Sequence, residues 1–182
     1  MPSENMPRET GRIPNPAEVA DRLAIFDVLA QHSRGVDRAD EAILKSAYWP
    51  DAEVAYGGFN GLAHTFCEFL PTGIRNSART HHAISNINID IEGDDARVET
   101  YVTANHYRAG VDGAADTEMC FYGRYLDRMQ RRGQMWKILH RRVVMDWNQN
   151  IDATAILTGP PFAGLAVGER LPEDPLAAHL KR

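Results

Sequence analysis

Two histidines and one aspartate have the residue types and positions for proton-transfer chemistry. Strand alternation places His82 on one face with Ile84 and Asn86, and places His106 on the apolar face of the neighbouring strand. Asp37 follows the first predicted helix. A buried carboxylate beside an imidazole fixes its tautomer and stabilises the imidazolium. The three residues therefore predict a general base that works near neutral pH.

Other roles for these residues stay open at this stage. Each histidine is compatible with a hydrogen-bonded core position, and Asp37 with the N-cap of a second helix, where Asp40 is an equally good cap. Asp37, His82 and His106 also match a two-histidine, one-carboxylate metal set. Adjacent strand residues such as His81 and His82 point to opposite faces and cannot both be ligands. No metal is expected.

Arg141 lies on the predicted last strand, where it shares one face with apolar residues: Leu139, Val143, Met145 and Trp147. A buried guanidinium is costly unless it is paired. Either it pairs with an acid such as Glu99 or Glu118, or it stabilises negative charge that develops on a substrate. Both roles remain open from the sequence.

Helical and strand periodicities predict the elements that would hold these side chains. Three helices are predicted, over Ala17 to Gly35, Ala39 to Ala47 and Gly61 to Ile74. Five strands are predicted, over Glu53 to Tyr56, His82 to Asp90, Arg97 to Tyr107, Thr117 to Arg128 and Met135 to Trp147. Helices followed by an antiparallel meander predict an α+β fold with helices on one face of a sheet.

The prolines and glycines divide the chain into three parts. Residues 1–16 are expected to form a proline-rich, flexible N-terminal arm, and residues 17–149 are expected to form the domain. Residues 150–182 form a tail with scattered apolar residues, which is expected to pack on the domain or on a neighbouring subunit.

Composition excludes several classes of function. The chain has 182 residues, 43% of them hydrophobic, and a net charge of −5, which argues against a nucleic-acid partner. No apolar run reaches the length of a membrane span, and no secretory signal is evident. Two cysteines, Cys67 and Cys120, fit a reducing cytoplasm. Nucleotide-binding and redox motifs are absent, so no cofactor is expected.

Several motifs together resemble the SnoaL-like branch of the nuclear transport factor 2-like superfamily, the branch of scytalone dehydratase and hexachlorocyclohexane dehydrochlorinase. The resemblance covers Ala17 to Trp147 and rests on the run Ala24 to Asp37 and on four motifs: Trp49-Pro50-Asp51-Ala52, Thr80-His81-His82-x-x-Ser85-Asn86, Gly123-Arg124-Tyr125-x-Asp127-Arg128 and Trp136-Lys137-Ile138-x-His140-Arg141. The tail motif Gly168-Glu169-Arg170-x-x-Glu173-Asp174-Pro175 also resembles that branch. The resemblance implies a cone-shaped α+β barrel, in which a curved antiparallel sheet wraps around three helices and an apolar pocket. It also implies a homodimer or homotrimer.

The resemblance also implies roles for individual residues. Asp37, His82 and Arg141 stand where the dehydrochlorinase has its Asp–His dyad and arginine, and its lysine falls on His32. In scytalone dehydratase the second histidine matches His106. One of the tyrosines that hold water in that enzyme matches Tyr56, and the other falls on valine here.

The leading hypothesis is a cofactor-independent lyase of the dehydratase type, acting on a small hydrophobic, aromatic or polyketide-like substrate. In it His82, oriented by Asp37, removes a proton, while His106, Tyr56 or water protonates the leaving hydroxyl. Pocket walls are predicted at Trp49, Phe59, Tyr122 and Trp147, where ordinary core packing is an equal alternative. The other functional alternatives are retro-aldol release of a one-carbon aldehyde, a double-bond shift, and a non-enzymatic binding or association domain.

Overall fold

The computed structural model describes residues 11–157 and 159–181, so the first ten residues of the predicted arm lie outside it. The helices are α1 (Pro16–Asp37), α2 (Glu41–Ser46), α3 (Ala63–Arg75) and α4 (Leu176–His179). The strands are β1 (Tyr48–Tyr56), β2 (Phe59–Leu62), β3 (Arg79–Glu92), β4 (Asp95–Arg108), β5 (Thr117–Arg132) and β6 (Met135–Asp152). Among the described helices, none combines the length and the apolar character that crossing a membrane requires.

Six strands form one curved sheet in the order β2-β1-β6-β5-β4-β3, against which the N-terminal helices pack. The predicted α+β cone is confirmed. One detail differs, because β1 pairs with β6 in parallel and the sheet is therefore mixed. The two strands come from opposite ends of the domain, so no hairpin turn forces them to be antiparallel.

Helix α1 begins with a capping box and ends beyond the predicted boundary. The Asn15 side chain accepts a hydrogen bond from the main-chain N–H of Glu18, and the Glu18 carboxylate accepts one from the main-chain N–H of Asn15. The helix runs through Gly35 to Asp37, so the predicted end at Gly35 is wrong. A Cβ atom on Gly35 would lie 2.8 Å from Leu44, which shows that this glycine permits close packing of α2. The helix therefore carries Asp37 itself.

The region between α2 and α3 holds more strand than predicted. Strand β1 starts at Tyr48 and passes through Pro50, in a stretch where the register with β6 shifts. Proline is tolerated at such an irregularity because no regular ladder bond is lost there. Residues Phe59–Leu62 form β2, which pairs back on β1, and α3 begins only at Ala63.

A bulge in β3 decides which residues face the interior. The pairing with β4 shifts register between Ser85 and Asn88, and Asn86 adopts a positive φ of 45°. His82 is buried before this bulge and Ile89 after it, although their sequence positions differ in parity. Asn86 is exposed, so its predicted place on the face of His82 is wrong.

One row of directly opposed residues crosses the sheet at its centre. It runs from β3 to β1 through Ile89, Val98, Asp127, Arg141 and Val54. All five side chains are buried. Two charged residues therefore lie side by side in an otherwise apolar row.

Candidate active site

Asp37 and His82 form a buried pair where the end of α1 meets β3. The carboxylate accepts a hydrogen bond from His82 Nδ1 at 2.7 Å and another from the main-chain N–H of His82 at 2.9 Å. The side chains are 10% and 2% exposed, respectively. Asp40, rather than Asp37, caps α2 by accepting from the main chain of Ile43. Asp37 is thus free to bind both the imidazole and the main chain of His82.

The protonation state of Asp37 defines the tautomer of His82. Burial alone would raise the pKa of Asp37, but hydrogen bonds from His82 and Thr80 and the charge of His82 outweigh it, so the pKa lies below its usual value. An ionised carboxylate can only accept hydrogen bonds. The proton of the neutral imidazole therefore sits on Nδ1, and Nε2 carries a free lone pair.

His106 lies beside this pair on β4. Its ring centroid is 5.4 Å from that of His82, edge to face, and its Nδ1 lies 3.5 Å from Ser77 Oγ. Burial, followed by the charges of His82 and Arg108, lowers the pKa of His106 to about 4. His106 is therefore neutral at neutral pH.

Arg141 is fully buried and pairs with Asp127, its direct neighbour across β5 and β6. Its Nε and Nη2 donate to the two carboxylate oxygens, each at 2.7 Å. The predicted partners, Glu99 and Glu118, are wrong, and Glu99 binds Arg124 instead. The physical reason is register, since Asp127 stands directly opposite the arginine. The sequence held a signal for it, because Asp127 shares strand parity with apolar residues.

A cluster of three further residues lies beside Arg141: His32, Tyr48 and Tyr125. Of these, only His32 was singled out from the sequence. The ring centroid of His32 lies 5.7 Å from that of Tyr48 and 5.6 Å from that of Tyr125, edge to face in both cases. Cζ of Arg141 lies 4.0 Å from the ring centroid of Tyr125. Within the described residues, Arg141 Nη1, the Tyr48 hydroxyl and both His32 nitrogens have no hydrogen-bond partner. Tyr48 and Tyr125 were missed, although both sit on the inner face of their strands.

Replacing His32 with phenylalanine is expected to reduce the loss in free energy of unfolding that occurs as the pH falls below neutral. Burial, followed by the charges of Arg141 and His82, lowers the pKa of His32 well below 6.5. As the pH falls below 6.5, His32 binds a proton in the unfolded chain but stays neutral in the native state. The free energy of unfolding therefore decreases. The slope reaches about 1.4 kcal/mol per pH unit for one proton.

Urea unfolding of the wild type and of His32→Phe at pH values between 7 and 5 measures how the free energy of unfolding depends on pH in each. Phenylalanine also removes two unpaired buried nitrogens, so stability at pH 7 is expected to be at least retained. Equal pH slopes in the two proteins would contradict the burial of a neutral His32.

The remaining predicted pocket residues lie in three separate places. The ring centroid of Phe66 lies 4.9 Å from that of Tyr56 and 5.6 Å from that of Phe59. Burial raises the pKa of Tyr56. Trp49 donates to the main-chain oxygen of Gln130 near the tip of the β5–β6 hairpin.

Tyr122 and Trp147 stack on each other on β5 and β6, with ring centroids 3.9 Å apart. Trp147 is 53% exposed. This pair is thus a partly exposed feature of the sheet. Among the residues that the structure describes, no three His, Cys, Asp or Glu side chains are grouped to hold a metal ion.

Comparison with known proteins places the chain in a family. A family model described as a SnoaL-like domain matches residues 17–142. A curated relative, terrestric acid biosynthesis cluster protein E of Penicillium crustosum, is 28% identical over 138 residues, which are 72% of this chain and 86% of that protein.

Solved structures share the fold. A provisionally named scytalone dehydratase from Novosphingobium aromaticivorans has a TM-score of 0.63 and 24% identity, over 82% of this chain and 97% of its own. A hexachlorocyclohexane dehydrochlorinase from Novosphingobium barchaimii has a TM-score of 0.65 and 22% identity, over 79% and 97%. The chain belongs to the SnoaL-like domain family of the nuclear transport factor 2-like superfamily.

Proposed function

We propose that the protein is a cofactor-independent lyase of the dehydratase type, with His82 as its base. The observation that carries the proposal is the buried hydrogen bond of 2.7 Å between Asp37 and His82 Nδ1. It leaves the lone pair of Nε2 available to take a proton, while the carboxylate stabilises the imidazolium that forms. A passive apolar pocket needs no such buried charge, which disfavours a purely structural role.

The unpaired donors beside His32 indicate the kind of substrate. Arg141 Nη1 and the Tyr48 hydroxyl are buried without acceptors in the described residues, and each can donate a hydrogen bond to an oxygen atom of a substrate. Because Asp127 already balances the charge of Arg141, a neutral carbonyl oxygen fits better than a carboxylate. The proposed substrate is a small hydrophobic, aromatic or polyketide-like hydroxy ketone.

The proposed reaction needs only groups of the chain and the substrate. His82 Nε2 takes a proton from the carbon next to the carbonyl, and the C–H electron pair moves onto the carbonyl oxygen, where Arg141 and Tyr48 donate hydrogen bonds. The pair then returns to form a carbon–carbon double bond and expels the hydroxyl of the next carbon. The hydroxyl leaves as water with the proton that His82 gives back.

His106 and Tyr56 have supporting roles in this proposal. Both are neutral at neutral pH, since burial lowers the pKa of His106 and raises that of Tyr56. Each can donate a hydrogen bond to the departing hydroxyl without carrying a charge.

Product analysis tests the reaction class. The protein is incubated with a panel of small aromatic and polyketide-like hydroxy ketones, and the products are identified by mass spectrometry. Loss of water is the expected result. Loss of a one-carbon fragment would support retro-aldol cleavage, and an isomer of unchanged mass would support a double-bond shift. Ligand binding without any product across the panel would contradict the lyase and favour a binding protein.

A further inference from the structure

Arg170, in the C-terminal tail, reaches into the region directly behind the Asp37–His82 pair. Its Nη1 donates to the main-chain oxygen of Asp37 and, at 2.7 Å, to Thr80 Oγ1. Its Nη2 donates to the main-chain oxygen of Ser77 at 2.9 Å. One guanidinium therefore joins the end of α1, the segment after α3 and the start of β3.

Thr80 extends this contact to the carboxylate of Asp37. A hydroxyl has one proton to give. Because Thr80 Oγ1 accepts from Arg170, its own proton remains available to the nearby Asp37 carboxyl, whose pKa Thr80 helps to lower. Arg170 thus binds Asp37 directly at its carbonyl, and it also binds Thr80, a neighbour that lowers the pKa of the Asp37 carboxyl.

The tail has other attachments that do not involve Arg170. Arg79 pairs with Glu169 at 3.0 Å, and Arg38 binds the main-chain oxygen of Glu169 at 2.8 Å and the carboxylate of Asp174. The main-chain N–H of Leu171 donates to the main-chain oxygen of Arg38 at 2.9 Å. Since these contacts fasten the tail on both sides of Arg170, its half-buried guanidinium is not needed merely to keep the tail in place.

We propose that Arg170 is a positioning residue of the candidate active site, which fixes Asp37 so that its carboxylate holds the Nδ1 proton of His82. A positive charge beside the last carbonyls of α1 is also favourable to the helix dipole. The assignment rests on the proposed role of the Asp37–His82 pair, but its test does not require turnover. It makes the tail, which lies beyond the matched family domain, a part of the site.

NMR of full-length protein labelled with ¹⁵N-histidine tests the proposal. In the wild type the Nδ1 proton of His82 is expected to give a resonance that is protected from exchange, assigned by its absence in His82→Gln. Arg170→Gln and Thr80→Val are each expected to lose this resonance, because Asp37 is then held at fewer points. Arg170→Lys is expected to restore it in part, since an ammonium reaches some of the same acceptors. The matched control, Arg79→Gln, breaks a tail contact away from Asp37 and is expected to keep the resonance.

The outcomes separate the positioning role from the proposed base. Retention of the resonance in folded Arg170→Gln would overturn the role of Arg170 and leave the pair intact. Absence of the resonance in the wild type would overturn the pair itself. Should Arg170→Gln fail to fold, Thr80→Val decides, because a retained resonance there would show that the contact through Thr80 does not position Asp37.

Discussion

Replacing His82 with alanine is expected to lower turnover by about 10²–10⁴-fold, the usual contribution of a positioned general base. In the proposed mechanism the base is the Nε2 lone pair of His82, which no neighbouring side chain can supply from the same place. Turnover of the hydroxy ketone identified by product analysis measures the effect. Circular dichroism is expected to report an unchanged fold.

The chain offers a matched control in the preceding residue. His81 is exposed and points to the opposite face of β3. His81→Ala is therefore expected to keep wild-type turnover. Wild-type turnover in His82→Ala would remove the base from the proposal, and an equal loss in both variants would indicate damage to the strand instead.

The largest loss of stability is expected from Asp127→Ala. This change leaves the guanidinium of Arg141, which is fully buried, without its carboxylate. Removing one partner of a buried ion pair typically costs about 3–5 kcal/mol. Urea unfolding measures the free energy, and the double variant Asp127→Leu/Arg141→Leu is expected to recover much of it because no uncompensated charge remains.

A surface pair gives the comparison for this experiment. Arg124 and Asp146 are hydrogen-bonded but lie partly in solvent, so Asp146→Ala is expected to change stability little. If Asp127→Ala unfolded at the same urea concentration as the wild type, the buried pair would contribute nothing, and Arg141 would have another acceptor.

The order of helices and long strands could be predicted because hydrophobic periodicity is a local property. So could the meeting of Asp37 with His82, where the resemblance supplied what spacing left open. The end of α1 was missed at Gly35, because glycine can end a helix or admit a close neighbour. Only the contact with Leu44 decides between these two roles.

The partner of Arg141 and the contacts of Arg170 depend on long-range geometry. Asp127 becomes the partner only once the register of β5 with β6 is known. Arg170 acts 133 residues away from Asp37 along the chain. Nothing in the local pattern of a tail rich in glycine and proline indicates which of its charged residues turns inward.

The extra residue at the Asn86 bulge reverses the inward and outward alternation of side chains between the two halves of β3. The half of β3 after the bulge is anchored by the buried Ile89. A deletion of one residue at the bulge would therefore leave that half in place and turn over the half before the bulge. The imidazole of His82 would then turn to the outside of the molecule. A change in length by one position would therefore dismantle the candidate active site without altering any of its residues.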